Sequence, residues 1–283
     1  MTQIDQFESV FRAAAHDTFA YEAVAFPRVL FVTDADTARS QSFIRHTLDY
    51  AANLSTAKVE LVHGEEFRTT EELLGKVDAQ QPDLICTYRN LHSRAWQYRH
   101  SLGEHLDVLL QRTAAPVLVM PHPEAGFANA DVLREIKIVM AMTDQLANNH
   151  ALVNHAVSFA ATYGELYLTH IEDKAVFERY INAISKIPSI DTDDARKRIA
   201  EQLLQDPIHY TSSCQEVLEA QGLSLKVRPL VSFGHHLTEY RQAVESHAVN
   251  LLVMNTKDNE QLAMHGLAYP LAVELRQLPL LML

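Results

Sequence analysis

The sequence predicts an α/β protein made of two tandem open parallel-sheet domains, and three observations carry that prediction. The chain ends twice: Ala115-Pro116-Val117-Leu118-Val119-Met120 in its interior is matched by Leu278-Pro279-Leu280-Leu281-Met282-Leu283 at its C-terminus. Each ending follows the same arrangement, a glycine (Gly103 or Gly266) at one common distance from its proline with an amphipathic stretch between. Upstream of each lies an apolar strand-like run, Asp83-Leu84-Ile85-Cys86 or Asn250-Leu251-Leu252-Val253-Met254. A repeat of domain size decides the architecture before any single element does.

The elements follow in order. Residues 1–26 form an N-terminal extension in which Ile4, Phe7, Val10, Phe11, Ala14 and Phe19 recur at helical spacing, so an amphipathic helix to about Ala25, packed on the first domain, is expected. The first domain spans 27–121. It opens with Val29-Leu30-Phe31-Val32 and passes through Thr33-Asp34-Ala35-Asp36-Thr37, polar residues suited to a strand end and a helix N-cap. A helix from about Arg39 to Leu54, a strand at Val59–His63, a helix from Thr70 to Val77 and a strand at Leu84–Thr87 follow. A helix after Gly103 and the strand at Val117 close the unit.

Two prolines and a glycine in Pro121-His122-Pro123-Glu124-Ala125-Gly126 stop regular structure and open a linker, 122–135. The second domain, 136–283, repeats the order: a strand at Ile136–Met142, a helix from Asn149 to Ala161, and a strand at Leu166–Ile171. A long helical region from Lys174 to Ala220 is expected to break near Pro188 and Pro207. A strand at Leu225–Val231, a helix at His236–Ser246, a strand at Leu251–Met254, a helix after Gly266 and the last strand complete it. The second domain therefore has five strands. The first has four, lacking either the second strand with its helix or a helix with the third strand. Strand–helix alternation of this kind implies a parallel sheet covered on both faces, with a crevice at the carboxyl ends of its strands.

Composition narrows the function. The 283 residues favour two domains, and a net charge of −12 argues against a nucleic-acid partner. Cys86 and Cys214 are too few for a disulfide framework, and Cys86 lies inside an apolar run. No apolar run approaches the ~20 residues that span a bilayer. The N-terminal Met1-Thr2-Gln3-Ile4-Asp5-Gln6 has neither the basic region nor the apolar core of a signal peptide, so a cytoplasmic protein without a membrane partner is expected.

The order of elements and the closing proline-plus-apolar strand resemble the universal stress protein family in a tandem form, with an open five-stranded Rossmann-like unit. The resemblance covers the chain after about Pro27 and is strongest at Leu84–Met120 and Leu251–Leu283. Many members of that family bind ATP or related adenine nucleotides through an acidic residue after the first strand and a Gly-x-x-Gly…Gly-Ser/Thr stretch after the fourth. The resemblance places candidate nucleotide contacts at Asp34 and Gly103 in the first unit. In the second it places them at Asp144, His170, Ile171, Asn255, Lys257, His265 and Gly266. The phosphate-cradling part of the pattern is missing: Thr87-Tyr88-Arg89-Asn90-Leu91-His92-Ser93 and Asn255-Thr256-Lys257-Asp258-Asn259-Glu260 contain no glycine. Glu104 and Leu267 replace the hydroxyl residue after the last glycine, and a carboxylate at a helix start repels phosphate. The resemblance also implies that the last strands pair. Val117 and Val119 would meet Leu280 and Met282, forming an intramolecular pseudo-dimer that covers two apolar edges. Further homodimerisation is left open.

Two other constellations stand out. Among fifteen histidines, His235, His236 and His265 fall in one half of one unit and are the candidate zinc ligands, although their spacing does not enforce convergence. The run from Tyr88 to His100 is basic and aromatic in an acidic protein and occupies the place of the glycine loop. It reads either as a replaced site for an anionic or aromatic small molecule or as an interface loop. No nucleophile elbow or Walker loop occurs. The sequence is thus read as a non-catalytic stress-response or regulatory binding module with an undefined protein partner and no obligatory cofactor. The alternatives are adenine-nucleotide binding with weak ATP hydrolysis in the second unit, and zinc binding through the C-terminal histidines.

Overall fold

The computed structural model describes residues 18–98, 101–126, 133, 135–143, 146, 149–160, 164–256 and 268–283. Nine strands form one sheet: β1 Arg28–Val32, β2 Lys58–Val62, β3 Leu84–Tyr88, β4 Val117–Met120, β5 Ile138–Met142, β6 Glu165–Asp173, β7 Lys226–Gly234, β8 Leu251–Met254 and β9 Leu280–Met282. Eight α-helices occur among the described residues: α1 Thr37–Tyr50, α2 Thr70–Gln80, α3 Glu104–Arg112, α4 His150–Phe159, α5 Lys174–Ile184, α6 Thr192–Ala220, α7 His236–Ser246 and α8 Ala268–Glu274.

The sheet order is β2-β1-β3-β4-β9-β8-β5-β6-β7. Every neighbouring pair is parallel except β4 and β9, which run antiparallel with Val117 opposite Met282 and Val119 opposite Leu280. Read outward from that junction, each half presents its last strand, its penultimate strand, its first strand and its second strand. The second half then adds β7. Among the described residues the first half has no counterpart of β7, and β2 is its edge. Pro229 lies in β7, on the opposite edge, where a missing donor costs no ladder bond.

Local chemistry explains the helix starts. Asp36, Asn149, Asp173 and Asp191 each accept backbone N–H groups at the first turn of α1, α4, α5 and α6, and Thr69 with Glu72 forms a reciprocal cap on α2. The strands β3, β4, β8 and β9 are buried at every position, as an apolar run covered by helices on both faces requires.

Two expectations are corrected. The helical region 174–220 breaks once, in the connector around Pro188. Pro207 sits buried inside a continuous α6 of 29 residues, where packing tolerates the one hydrogen bond that a proline removes. The N-terminal extension is not helical over residues 18–27, and it packs on the second half. There the backbone is satisfied by side chains and not by its own turns: Phe19 N–H donates to Ser213 Oγ at 2.8 Å, while Asn154 bonds both Glu22 N–H and Ala20 C=O. Phe19 is buried against His150 and Tyr210, and Phe26 against Phe159. This strap crosses from the second half into β1. Residues 1–17, where most of the helical pattern falls, lie outside the described residues.

Candidate functional site: the crevice of the first half

Strands β1 and β3 are neighbours whose connections leave in opposite directions, so the space beyond their carboxyl ends is the switch point at which open α/β sheets bind ligands. Asp34 stands just past β1 and Tyr88 ends β3. The Tyr88 hydroxyl donates a short hydrogen bond to Asp34 Oδ1 and accepts the Asp34 backbone N–H at 3.1 Å. The backbone N–H of His92 donates to Asp34 Oδ2 at 2.8 Å. Both carboxylate oxygens are therefore engaged by the loop that follows β3. Burial, reinforced by the Asp34 carboxylate, pushes the Tyr88 phenol well above its ordinary range.

That loop bends without glycine. Asn90 (φ 62) and His92 (φ 56) both take left-handed conformations, a geometry more often given to glycine. The Asn90 N–H donates to Leu102 C=O at 2.6 Å, closing the loop on itself. Gly103, the N-cap of α3, has φ 95, and a Cβ there would stand 2.7 Å from the Asn90 Cα. This glycine is required by backbone packing on Asn90. Glu104 follows it, exposed at the start of α3.

The rest of the loop reaches into the second half. Arg89 is 2% exposed, and its guanidinium donates to Ala272 C=O at 2.8 Å and toward Leu275 C=O at 3.4 Å, so it caps the C-terminus of α8. Among the described residues no carboxylate meets it, and burial, followed by repulsion from Arg276, pulls its pKa down to about 10. Arg276 in turn donates to Trp96 C=O at 3.2 Å. Arg89 and the Trp96 carbonyl thus join this loop to the second half.

A cavity of about 280 Å³ remains on the α1 side of the Tyr88–Asp34 bridge. Phe43, Tyr88 and Trp96 line it with the charged residues Asp34, Glu124, Arg39 and Arg94. The indole of Trp96 is stacked on His122, with ring centroids 4.8 Å apart and planes 14° apart. Burial holds the imidazole of His122 below its ordinary pKa, and His122 Nδ1 accepts the Glu124 N–H at 3.2 Å. His122, Pro123 and Glu124, read from sequence as linker, are cavity residues because β4 ends beside β3. Only the strand order could have signalled that.

In the second half, His170 Nε2 lies 2.9 Å from Glu172 Oε1. The N–H of Ile171 donates to the buried hydroxyl of Tyr240, which itself donates to Thr143 C=O at 3.1 Å. Asn255 follows β8 and is half-buried. Asp144, Lys257, His265 and Gly266 lie outside the described residues. His235 precedes α7 and is exposed, and His236 opens it. Among the described residues no group of three or more histidine, cysteine, aspartate or glutamate side chains could hold a metal ion. No described helix is long and apolar enough to cross a membrane. Both cysteines are buried, and burial pushes the Cys214 thiol up to about 12.

No protein-family model matches the chain, and a search of curated proteins finds no match. Solved structures do match. A protein of Pseudomonas aeruginosa PAO1 described as functionally unknown aligns over 92% of this chain and 92% of its own, at 14% identity and a TM-score of 0.52. A candidate universal stress protein of Pseudomonas aeruginosa UCBPP-PA14 aligns over 92% of this chain and 93% of its own, also at 14% identity and a TM-score of 0.52. This chain has the fold of universal stress proteins.

Proposed function

We propose that this chain is a universal-stress-type regulatory module that acts by binding and not by catalysis, its first-half nucleotide crevice closed by its own side chains. It comprises two units, 27–121 and 136–283, joined by a linker and by the β4–β9 pairing. One observation carries the reading: Tyr88 and His92 occupy both oxygens of Asp34 across the switch point. A nucleoside polyphosphate entering there would have to break those bonds and set its charge against Asp34 and the exposed Glu104. The neighbouring Arg89, which would otherwise favour phosphate, is committed to the carbonyls of α8.

The test is thermal denaturation in the presence of ATP, ADP or AMP. Ligand at about 100 times its Kd stabilises a native state by roughly 2.7 kcal/mol, a readily measured rise in melting temperature. No rise is expected with any of the three. A clear rise would sink this reading in favour of nucleotide-dependent function, with the second half as host.

A further inference from the structure

We propose that the first-half cavity binds a small planar ring bearing one carboxylate, the ring lying against Trp96 and the carboxylate on Arg94. This rests on the reading of the chain as a binding module and names what its crevice takes. The buried part of the cavity lining includes the aromatic rings of Phe43 and Tyr88. Trp96 is held in place by its stack on His122, so an entering ring meets a wall whose ordering cost is already met.

Four charged residues line the cavity. Asp34, capped by Tyr88, lies inside, where it disfavours an anion. Arg94 is exposed and has no carboxylate partner among the described residues, whereas Arg39 is shared between Asp36 and Glu124. The cavity lining is balanced overall, Asp34 and Glu124 against Arg39 and Arg94, so Arg94 is the lining guanidinium left for an entering anion. A ligand matching this arrangement is uncharged against the rings and singly negative at Arg94. A polyphosphate carries too much charge, and an ammonium group would meet the guanidinium first.

Trp96 is the only tryptophan of the chain, so its emission reports the cavity directly. Titration with benzoate should produce a saturable change. Benzamide, of the same shape without the charge, should bind at least about tenfold more weakly, the loss of one charge-assisted hydrogen bond. Arg94→Ala should abolish that difference and, because Arg94 is exposed, leave the melting temperature of the free protein unchanged. The proposal is overturned by any of three results. These are no saturable change up to about 10 mM benzoate (enough to fill roughly nine-tenths of a 1 mM site), equal binding of benzamide, or tighter binding of benzylammonium. AMP in the same titration separates the two levels. AMP binding tighter than benzoate overturns both the ligand class and the closed crevice, while silence from both compounds overturns the ligand class alone.

Discussion

Replacing Arg89 with methionine should destabilise the protein by about 2 kcal/mol, a figure that follows from the contacts made and lost. The guanidinium makes one short bond, 2.8 Å to Ala272 C=O, and two long ones, 3.5 Å to Val273 C=O and 3.4 Å to Leu275 C=O. A hydrogen bond to a charged group contributes roughly 1.5–3 kcal/mol, and a carbonyl left buried without a donor costs about 1–3 kcal/mol. The positive charge also lies at the negative end of α8. Against these stands relief: the charge is buried, its Nε has no partner, and Arg276 repels it. Methionine keeps most of the volume, so no large cavity offsets the count. The net of about 2 kcal/mol corresponds to a fall in melting temperature of roughly 4–8 °C for a chain of this size. Urea denaturation of the variant and its parent provides the assay, with Arg89→Lys as an intermediate that keeps the charge but not the fork. A midpoint unchanged or raised would mean instead that the cost of burying the charge outweighs its capping of α8.

Three further outcomes are expected. Gly103→Ala should cost at least about 2 kcal/mol, since it combines a positive φ with a 2.7 Å approach to the Asn90 Cα, and should loosen residues 88–98 in hydrogen exchange. The Asp107 carboxyl is raised by burial to about 6, above its unfolded value near 4, so its relative contribution to stability is present below about pH 4 and lost as pH rises through about 6. Asp107→Asn should therefore melt higher than the parent at pH 7, by about 1 kcal/mol after allowance for solvent screening, and equal it at pH 3.5. Phe19→Ala, which empties a buried site between His150 and Tyr210, should cost about 3 kcal/mol, and limited proteolysis should cut the strap faster.

The fold was legible where apolar pattern and punctuation agree. The two Pro-plus-apolar endings led directly to β4 and β9, and their antiparallel pairing buries runs that would be hazardous as free edges. Pro207 was misread because a proline signals a break from local sequence alone, while buried packing around Pro207, Tyr210 and Cys214 keeps α6 intact. The strap was misread for a related reason. Helical spacing in Ile4–Phe19 carries no information about Asn154, more than a hundred residues away, which supplies the backbone partners of residues 20 and 22. At the crevice, Asp34 and the residues after Tyr88 could be placed at neighbouring strand ends. That Tyr88 turns onto Asp34, and that Arg89 caps a helix of the other half, depends on side-chain geometry that no periodicity encodes. Left-handed Asn90 and His92 are a further case: both residue types enter that conformation more readily than most, but local sequence does not say which of them will.

The proposed function rests on closure of the first-half crevice to nucleotides by the Tyr88–Asp34–His92 hydrogen bonds. The most direct test is mass spectrometry of the small molecules released when freshly purified protein is denatured, run beside Tyr88→Phe, which removes the bridging hydroxyl. No adenine nucleotide is expected from the parent protein. An adenine nucleotide recovered from the parent in near-equimolar amount, and lost in the Tyr88→Phe variant, would contradict that closure.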